Sequence, residues 1–326
     1  MAIGPSRRPV SAILVALLIS LVLLAAFRMN FGESFGWPAA QDIFAIRLHR
    51  LLIAVIVGVG LASSGVSLQA LLRNPLAEPF ILGLSTGAGV GVMVHALLVG
   101  DGMAGNQLGA LIGASISMTI VYIAGRRDGI IDPLGLLLVG VVLSTINGAL
   151  IVMLNYTVGS AGLRDDLARW MMGYINEGIT MAQFNPVVIF TFASLAVLIW
   201  QGRAMDVATF SDSEAEAIGV NLPRLRKMLF GISSLLAAAA VALVGPVAFI
   251  GLICPHLARL LVGPSHRNLV IAAAIIGAML MLSADMLSIS LHWAFDWGRL
   301  PLGVFTAMLG GVVFLFMVRP QMGRGM

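Results

Sequence analysis

Residues Gln201–Lys227 read QGRAMDVATFSDSEAEAIGVNLPRLRK, and the runs on either side of this stretch decide the fold. Phe184–Trp200 before it and Met228–Leu243 after it are apolar, whereas the stretch carries Arg203, Asp206, Asp212, Glu214, Glu216, Arg224, Arg226 and Lys227. It must lie in water at the surface of an apolar layer. Ser211 followed three residues later by Glu214 has the capping-box spacing, which predicts a short helix running to about Ile218. Glu214 and Glu216 then sit near its positive end, and Gly219 supplies a stop before Pro223. Taken alone, the stretch reads most simply as a solvated loop between two spans.

Composition carries the same message along the whole chain. Of 326 residues, 59% are hydrophobic and 10% charged, against about 25% charged in a soluble domain. The expected fold is therefore all-α, a polytopic membrane protein of about ten transmembrane helices in a single domain over 1–326. A single cysteine, Cys254, excludes an internal disulfide and a multi-cysteine metal site. The five histidines form no i, i+4 pair and no HExxH, so a metal enzyme has little support. Lys227 is the only lysine, and the net positive charge is read as membrane topology, not nucleic-acid affinity.

Spans are expected at Val10–Phe27, Leu51–Leu72, Phe80–Leu98, Leu108–Ala124, Leu134–Tyr156, Phe184–Trp200 and Met228–Leu243. The run from Met228 to Val262 is roughly 35 residues, ~50 Å as one helix against a ~30 Å hydrocarbon core, so it must break. Gly245-Pro246 is the place, because proline lacks the N–H and disfavours helix in the residue before it. A span through Leu261, then Leu269–Leu291 and Leu302–Val318, completes the set. With an inside N-terminus, Arg28, Arg47, Arg50, Arg164, Arg169 and Arg299 lie outside and the remaining cations inside. That bias follows the positive-inside rule and puts Gln201–Lys227 in the cytoplasm.

Candidate chemistry is sparse. Counting a P-loop from Gly83 puts Ala88 at the second glycine and Gly89 at the lysine, so no P-loop exists there. Gly83, Gly87 and Gly91, four apart, are read as a face for close helix packing. Asp285 and His256 are the ionisable residues expected at membrane depth, with His95 and His292 nearer span ends. A proton- or sodium-coupled carrier would bury more such groups. Asp285 is expected to accept a hydrogen bond between packed helices.

Several separated motifs resemble those of the ABC importer permeases for ferric siderophores, haem and cobalamin. They are Arg47-Leu-His-Arg50, Gln69-Ala-Leu-Leu-Arg-Asn-Pro-Leu-Ala-Glu-Pro79, the Gly83–Gly89 stretch, Gly245-Pro-Val-Ala-Phe-Ile-Gly-Leu-Ile-Cys-Pro-His-Leu-Ala-Arg259 and Leu300-Pro-Leu-Gly-Val-Phe-Thr306. Their order is specific, and they span most of the chain. His49 stands where the family usually has proline, and Arg299 where an acidic residue commonly precedes Leu-Pro.

The resemblance implies a homodimer in the bacterial cytoplasmic (inner) membrane, with its pathway on the two-fold axis. Separate ATPase subunits, which carry ATP and magnesium, would contact the cytoplasmic stretch through Ser213, Glu214, Glu216, Ala217 and Gly219. A periplasmic or lipid-anchored binding protein would dock through Arg47 and Arg50, with Arg299 as a third contact. The turns at Asn74-Pro75-Leu76 and Asp132-Pro133-Leu134 would form the cytoplasmic gate, through Asn74, Leu76, Pro133 and Leu134. No cofactor or metal is expected on this chain, and membrane lipids surround it. The cargo implied is an iron chelate such as a ferric siderophore or haem, with cobalamin as the alternative; an ion-coupled secondary transporter is the competing class.

Overall fold

The structure, a computed structural model, describes residues 9–32, 35–38, 40–99, 107–127, 129–157, 168–296 and 298–322. Arg7, Arg8, Arg164 and Arg324, used above to orient the chain, lie outside the described residues. The helices are α1 (Val10–Arg28), α2 (Gln41–Leu72), α3 (Leu84–Val99), α4 (Gln107–Ala124), α5 (Pro133–Thr157) and α6 (Met181–Trp200). Two short ones follow, α7 (Gly202–Val207) and α8 (Asp212–Ala217), and then α9 (Leu222–Val244), α10 (Ile250–Val262), α11 (His266–Phe295) and α12 (Leu302–Met322). Seven are long and apolar enough to cross a membrane. The shorter apolar helices α3, α10 and α12 add three more among the described residues.

The expected break falls where proline chemistry put it: α9 ends at Val244, with Gly245 at φ 76° as its cap, and α10 starts at Ile250. The third span differs from a single helix over Phe80–Leu98. Pro79–Leu82 is a 3-10 turn, and Gly83, at φ 77°, breaks it from α3. Gly83 therefore makes a corner, while Gly87 and Gly91 do the packing. A Cβ on Gly87 would strike Gly113 and Ser117, and one on Gly91 would strike Gly109. The turn before α5 is also more than proline geometry, because β1 (Arg126–Arg127) pairs antiparallel with β2 (Ile130–Ile131).

Helix α2 is the axis of the bundle and is buried on every side from Ile56 to Leu72. A helix can be surrounded this way only if its neighbours come close, and small residues allow that. Gly58 faces Gly277 of α11, and Gly65 faces Gly251 of α10, each backbone against backbone. Polar residues of α2 find partners on α9 and α10. Ser64 Oγ donates to Ser233 O at 2.7 Å, Ser233 Oγ returns a bond to Ser64 O at 3.0 Å, and Ser67 Oγ donates to Leu229 O at 3.0 Å. Gln69 Nε2 donates to Gly251 O at 3.3 Å.

At the outer end, Phe31 stacks on Trp293 with centroids 5.2 Å apart, and Phe27 and Phe35 meet Phe31 edge-on. Aromatic clusters of this kind belong at the membrane–water boundary.

Replacing Gly65 with leucine puts a side chain where the Gly251 backbone lies, so it should separate α2 from α10. Overpacking costs about 1–3 kcal/mol and more where backbone is struck. The expected outcome is loss of monodisperse protein in detergent on size-exclusion chromatography, and wild-type elution would show that the contact is slack.

Candidate functional site

The cytoplasmic stretch is built as its capping box predicts. Ser211 Oγ accepts from Glu214 N at 3.3 Å, and the Glu214 carboxylate accepts from Ser211 N at 2.9 Å. The resulting helix, α8, ends at Gly219, whose φ of 94° suits glycine. Ala215 faces inward and is buried, while Ser213, Glu214, Glu216 and Ala217 face outward. Glu214 is occupied by its own cap, so Glu216 is the exposed carboxylate free for a partner. Phe210 is 54% exposed and Ile218 61%. These two apolar side chains flank α8, and charge counting alone passed over them.

Four contacts hold this platform on the bundle. Asp212 takes two bonds from Arg226 Nη2, at 2.8 and 3.0 Å, and an ion pair from Arg73 Nη2 at 2.6 Å. Arg73 Nε also donates to Ala208 O at 2.8 Å. Asp206 accepts from the backbone N of His266 at 2.7 Å, tying α7 to the start of α11. Burial alone would raise the Asp212 carboxyl, but the hydrogen bond from Arg73 and the charge and hydrogen bond of Arg226 outweigh it and hold it below its ordinary value.

Arg73 caps α2 in the left-handed conformation and immediately precedes Asn74. One guanidinium thus joins the platform to the first expected gate turn. Asn74 Oδ1 accepts from Leu76 N at 2.9 Å, an Asx turn that sets the loop's direction. The chain then climbs back into the bundle, because Pro79–Leu82 packs against Gly140, about two turns or ~10 Å into α5. Glu78, buried in this loop, accepts a hydrogen bond from the backbone N of Phe249. The loop after α2 is therefore fastened to the start of α10, a contact invisible in sequence because 171 positions separate the partners. Leu134 is exposed and Pro133 half-buried at the same cytoplasmic end.

On the outer face the structure corrects the placement expected for the arginines. Arg47 and Arg50 do share one side of α2, but they are 8% and 5% exposed, not free charges on the surface. Arg50 Nε and Nη2 reach Asp285 Oδ1 at 2.9 and 2.8 Å, and Arg28 Nε and Nη2 reach Oδ2 at 2.7 and 2.6 Å. Asp285 is thus more than the single hydrogen-bond acceptor expected of it, since it serves two guanidiniums. Arg47 Nη1 donates to Met29 O at 2.8 Å and Gly36 O at 2.6 Å, so it secures the α1–α2 connection. What remains reachable is Glu177, half exposed, which pairs with Arg299 and lies 3.6 Å from Arg50. Glu177 and Arg299 line a polar cavity of about 650 Å³ with Arg169, Tyr174 and Asn176.

Apolar helices long enough to span, with a capped and exposed short helix between two of them, make this a polytopic membrane protein. The chain matches the FecCD transport family over residues 12–320. It is 36% identical to the hemin transport system permease protein of Yersinia pestis, over 94% of each chain. It is also 36% identical to the vitamin B12 import system permease protein of Klebsiella pneumoniae, over 98% of this chain and 96% of that one. The ferric enterobactin transport system permease protein of Escherichia coli K12 is 33% identical, over 83% and 80%. A solved inward-facing structure of a metal-chelate type ABC transporter superposes with a TM-score of 0.85 at 29% identity, covering 95% of this chain and 99% of that one. The chain belongs to the FecCD transport family. It is an integral membrane permease subunit of an ABC importer, without a catalytic role of its own.

Asp285→Asn would leave Arg28 and Arg50 buried without their anion. Breaking one side of a buried ion cluster costs about 3–5 kcal/mol, so the variant should melt well below wild type in a detergent thermal-shift assay. A second outcome follows from Asp212. Its folded value is depressed, so its contribution is complete above the unfolded carboxylate value of about 4 and is lost as pH falls through the lower folded value. Limited proteolysis should therefore open the platform in that acidic window, and Asp212→Asn should open it already at neutral pH.

Proposed function

We propose that this chain is a homodimeric permease that carries a metal chelate across the cytoplasmic membrane, with a ferric siderophore or haem ahead of cobalamin. The whole of residues 1–326 is one permease domain in this reading. The observation that carries it is the exposed α8 platform, with Glu216, Ala217 and Ile218 outward, on a chain whose relatives are named for hemin, vitamin B12 and ferric enterobactin import. An ATPase holding ATP and magnesium docks on Ser213, Glu214, Glu216, Ala217 and Gly219. Apolar contact through Phe210 and Ile218 supplies much of the affinity, and the carboxylates set orientation.

In the same reading, the partner's movement reaches the gate through Arg73, which touches Ala208 and Asp212 on one side and continues into Asn74 and Leu76 on the other. Pro133 and Leu134 form the facing half of the gate. The binding protein docks at the outer cavity with Arg299 as the reachable cation. Arg47 and Arg50 act there by holding the surface in shape, and Glu177 competes with the partner's carboxylates for Arg299.

Reconstituting the chain with its ATPase and binding protein, then comparing uptake of ferric siderophores, haem and cobalamin, tests the reading. ATP-dependent uptake of an iron chelate is expected, and tight retention of cobalamin by the binding protein would overturn the cargo assignment. In the same assay, Glu216→Lys should break coupling while leaving α8 intact, and Arg73→Ala should lower transport per ATP more than Arg226→Ala. Normal transport by Glu216→Lys would argue against the platform.

A further inference from the structure

Helices α4 and α9 part along the membrane surface of the bundle and leave a groove of about 260 Å³. Met118 and Tyr122 wall it on one side, Phe230 and Leu235 on the other, and Lys227 stands at its cytoplasmic end. From Lys227 to Ala238 the α9 wall rises ~16 Å, about half of the ~30 Å hydrocarbon core. The groove thus spans one leaflet.

Two observations indicate that something outside the chain occupies it. Gly231 sits in the middle of α9, yet a Cβ there would meet nothing within 4 Å. Glycine weakens a helix and usually marks a turn or a close approach; here it only clears space in the groove. Lys227 has no carboxylate partner among the described residues.

A second cation stands at the same end. The Arg126 guanidinium lies 3.5 Å over the centroid of the Tyr122 ring, and that ring is stacked on Phe230 with centroids 5.5 Å apart. Arg126 keeps its charge available at the inner surface, because an aromatic face takes a cation without neutralising it.

We propose that the groove seats one anionic phospholipid of the cytoplasmic leaflet, its phosphate met by Lys227 and Arg126 and one acyl chain lying along α4 and α9 over Gly231. Cations at the cytoplasmic ends of apolar grooves between spanning helices have the character that anionic headgroups seek. A second copy of this chain fits less well, since it would bring the same cations to the same surface. The inference rests on the inside-positive orientation and is independent of the cargo. Lys227 closes the cytoplasmic stretch, so the lipid would contact the segment on which the ATPase platform is built.

The test uses the purified full chain in phosphatidylcholine nanodiscs doped with phosphatidylglycerol that carries a photoreactive acyl chain. Peptide mass spectrometry should find the label on 115–122 and 230–238, competed by unlabelled phosphatidylglycerol and not by phosphatidylcholine. Lys227→Gln and Arg126→Gln should each lower labelling about fivefold, corresponding to ~1 kcal/mol for a cation at an anionic surface. Gly231→Leu puts an apolar side chain into the groove, its Cβ meeting no protein atom within 4 Å. It should abolish labelling on both helices while elution and melting remain wild-type. Equal competition by phosphatidylcholine, or undiminished labelling of Gly231→Leu, would overturn the assignment. So would a disulfide between copies formed through Gly231→Cys, because a second chain would then cover the groove.

Discussion

The carboxylate of Asp285, fully buried and gripped by Arg28 and Arg50, is the interaction on which the outer half of this molecule depends. It joins the last residue of α1, the third turn of α2 and a point two-thirds along α11, so three spans cannot slide independently. Taking such charges out of water costs several kcal/mol each, and mutual attraction offsets this only when every donor is used. Here Arg28 also donates to Phe31 O, and Arg50 to Ile175 O. The cluster is therefore a device for register: one geometry satisfies all its members, and any slip leaves a buried charge exposed to hydrocarbon.

From that clamp the chain's central helix runs to the opposite face, and its character changes along the way. Near the outside α2 is held by charge. In the middle it is held by glycine against glycine, Gly58 on Gly277 and Gly65 on Gly251. At the inner end Gln69 and the Glu78 loop bind the start of α10. Close van der Waals packing needs no polar partner in hydrocarbon, and the Ser64 and Ser67 hydroxyls beside Gly65 are paired across to α9, so polar groups at that depth are satisfied as well. The result is an axis packed along most of its length, with the polar attachments of the cytoplasmic stretch at its inner end. The platform hangs from the inner end by Arg73, Arg226 and Asp206, all near water and all breakable.

The outer face shows how a motif can be noticed and its geometry misjudged. Arginine on the side where the topology rule disfavours it does signal a use, and Arg47 and Arg50 have one. The use of Arg50 is internal, with Asp285 at 235 positions' separation. Nothing local distinguishes an arginine that greets a partner from one that clamps a helix, since both are charged residues near a span end.

Hydropathy, proline and capping chemistry determined much of this protein without help from tertiary structure. The ten apolar helices, the break at Gly245-Pro246, the capped helix at Ser211–Glu214 and the packing face at Gly87 and Gly91 all follow from rules that act within a few residues. Spacing of three or four positions is a property of the helix itself. The tertiary structure decided what long-range pairing controls: the corner at Gly83, the bond from Glu78 to α10, the double duty of Arg73 and the burial of Arg47 and Arg50. It also decided that Gly231 faces empty space, whereas Gly65 faces a neighbour. Both are mid-helix glycines among apolar residues, and only the position of the next helix tells them apart.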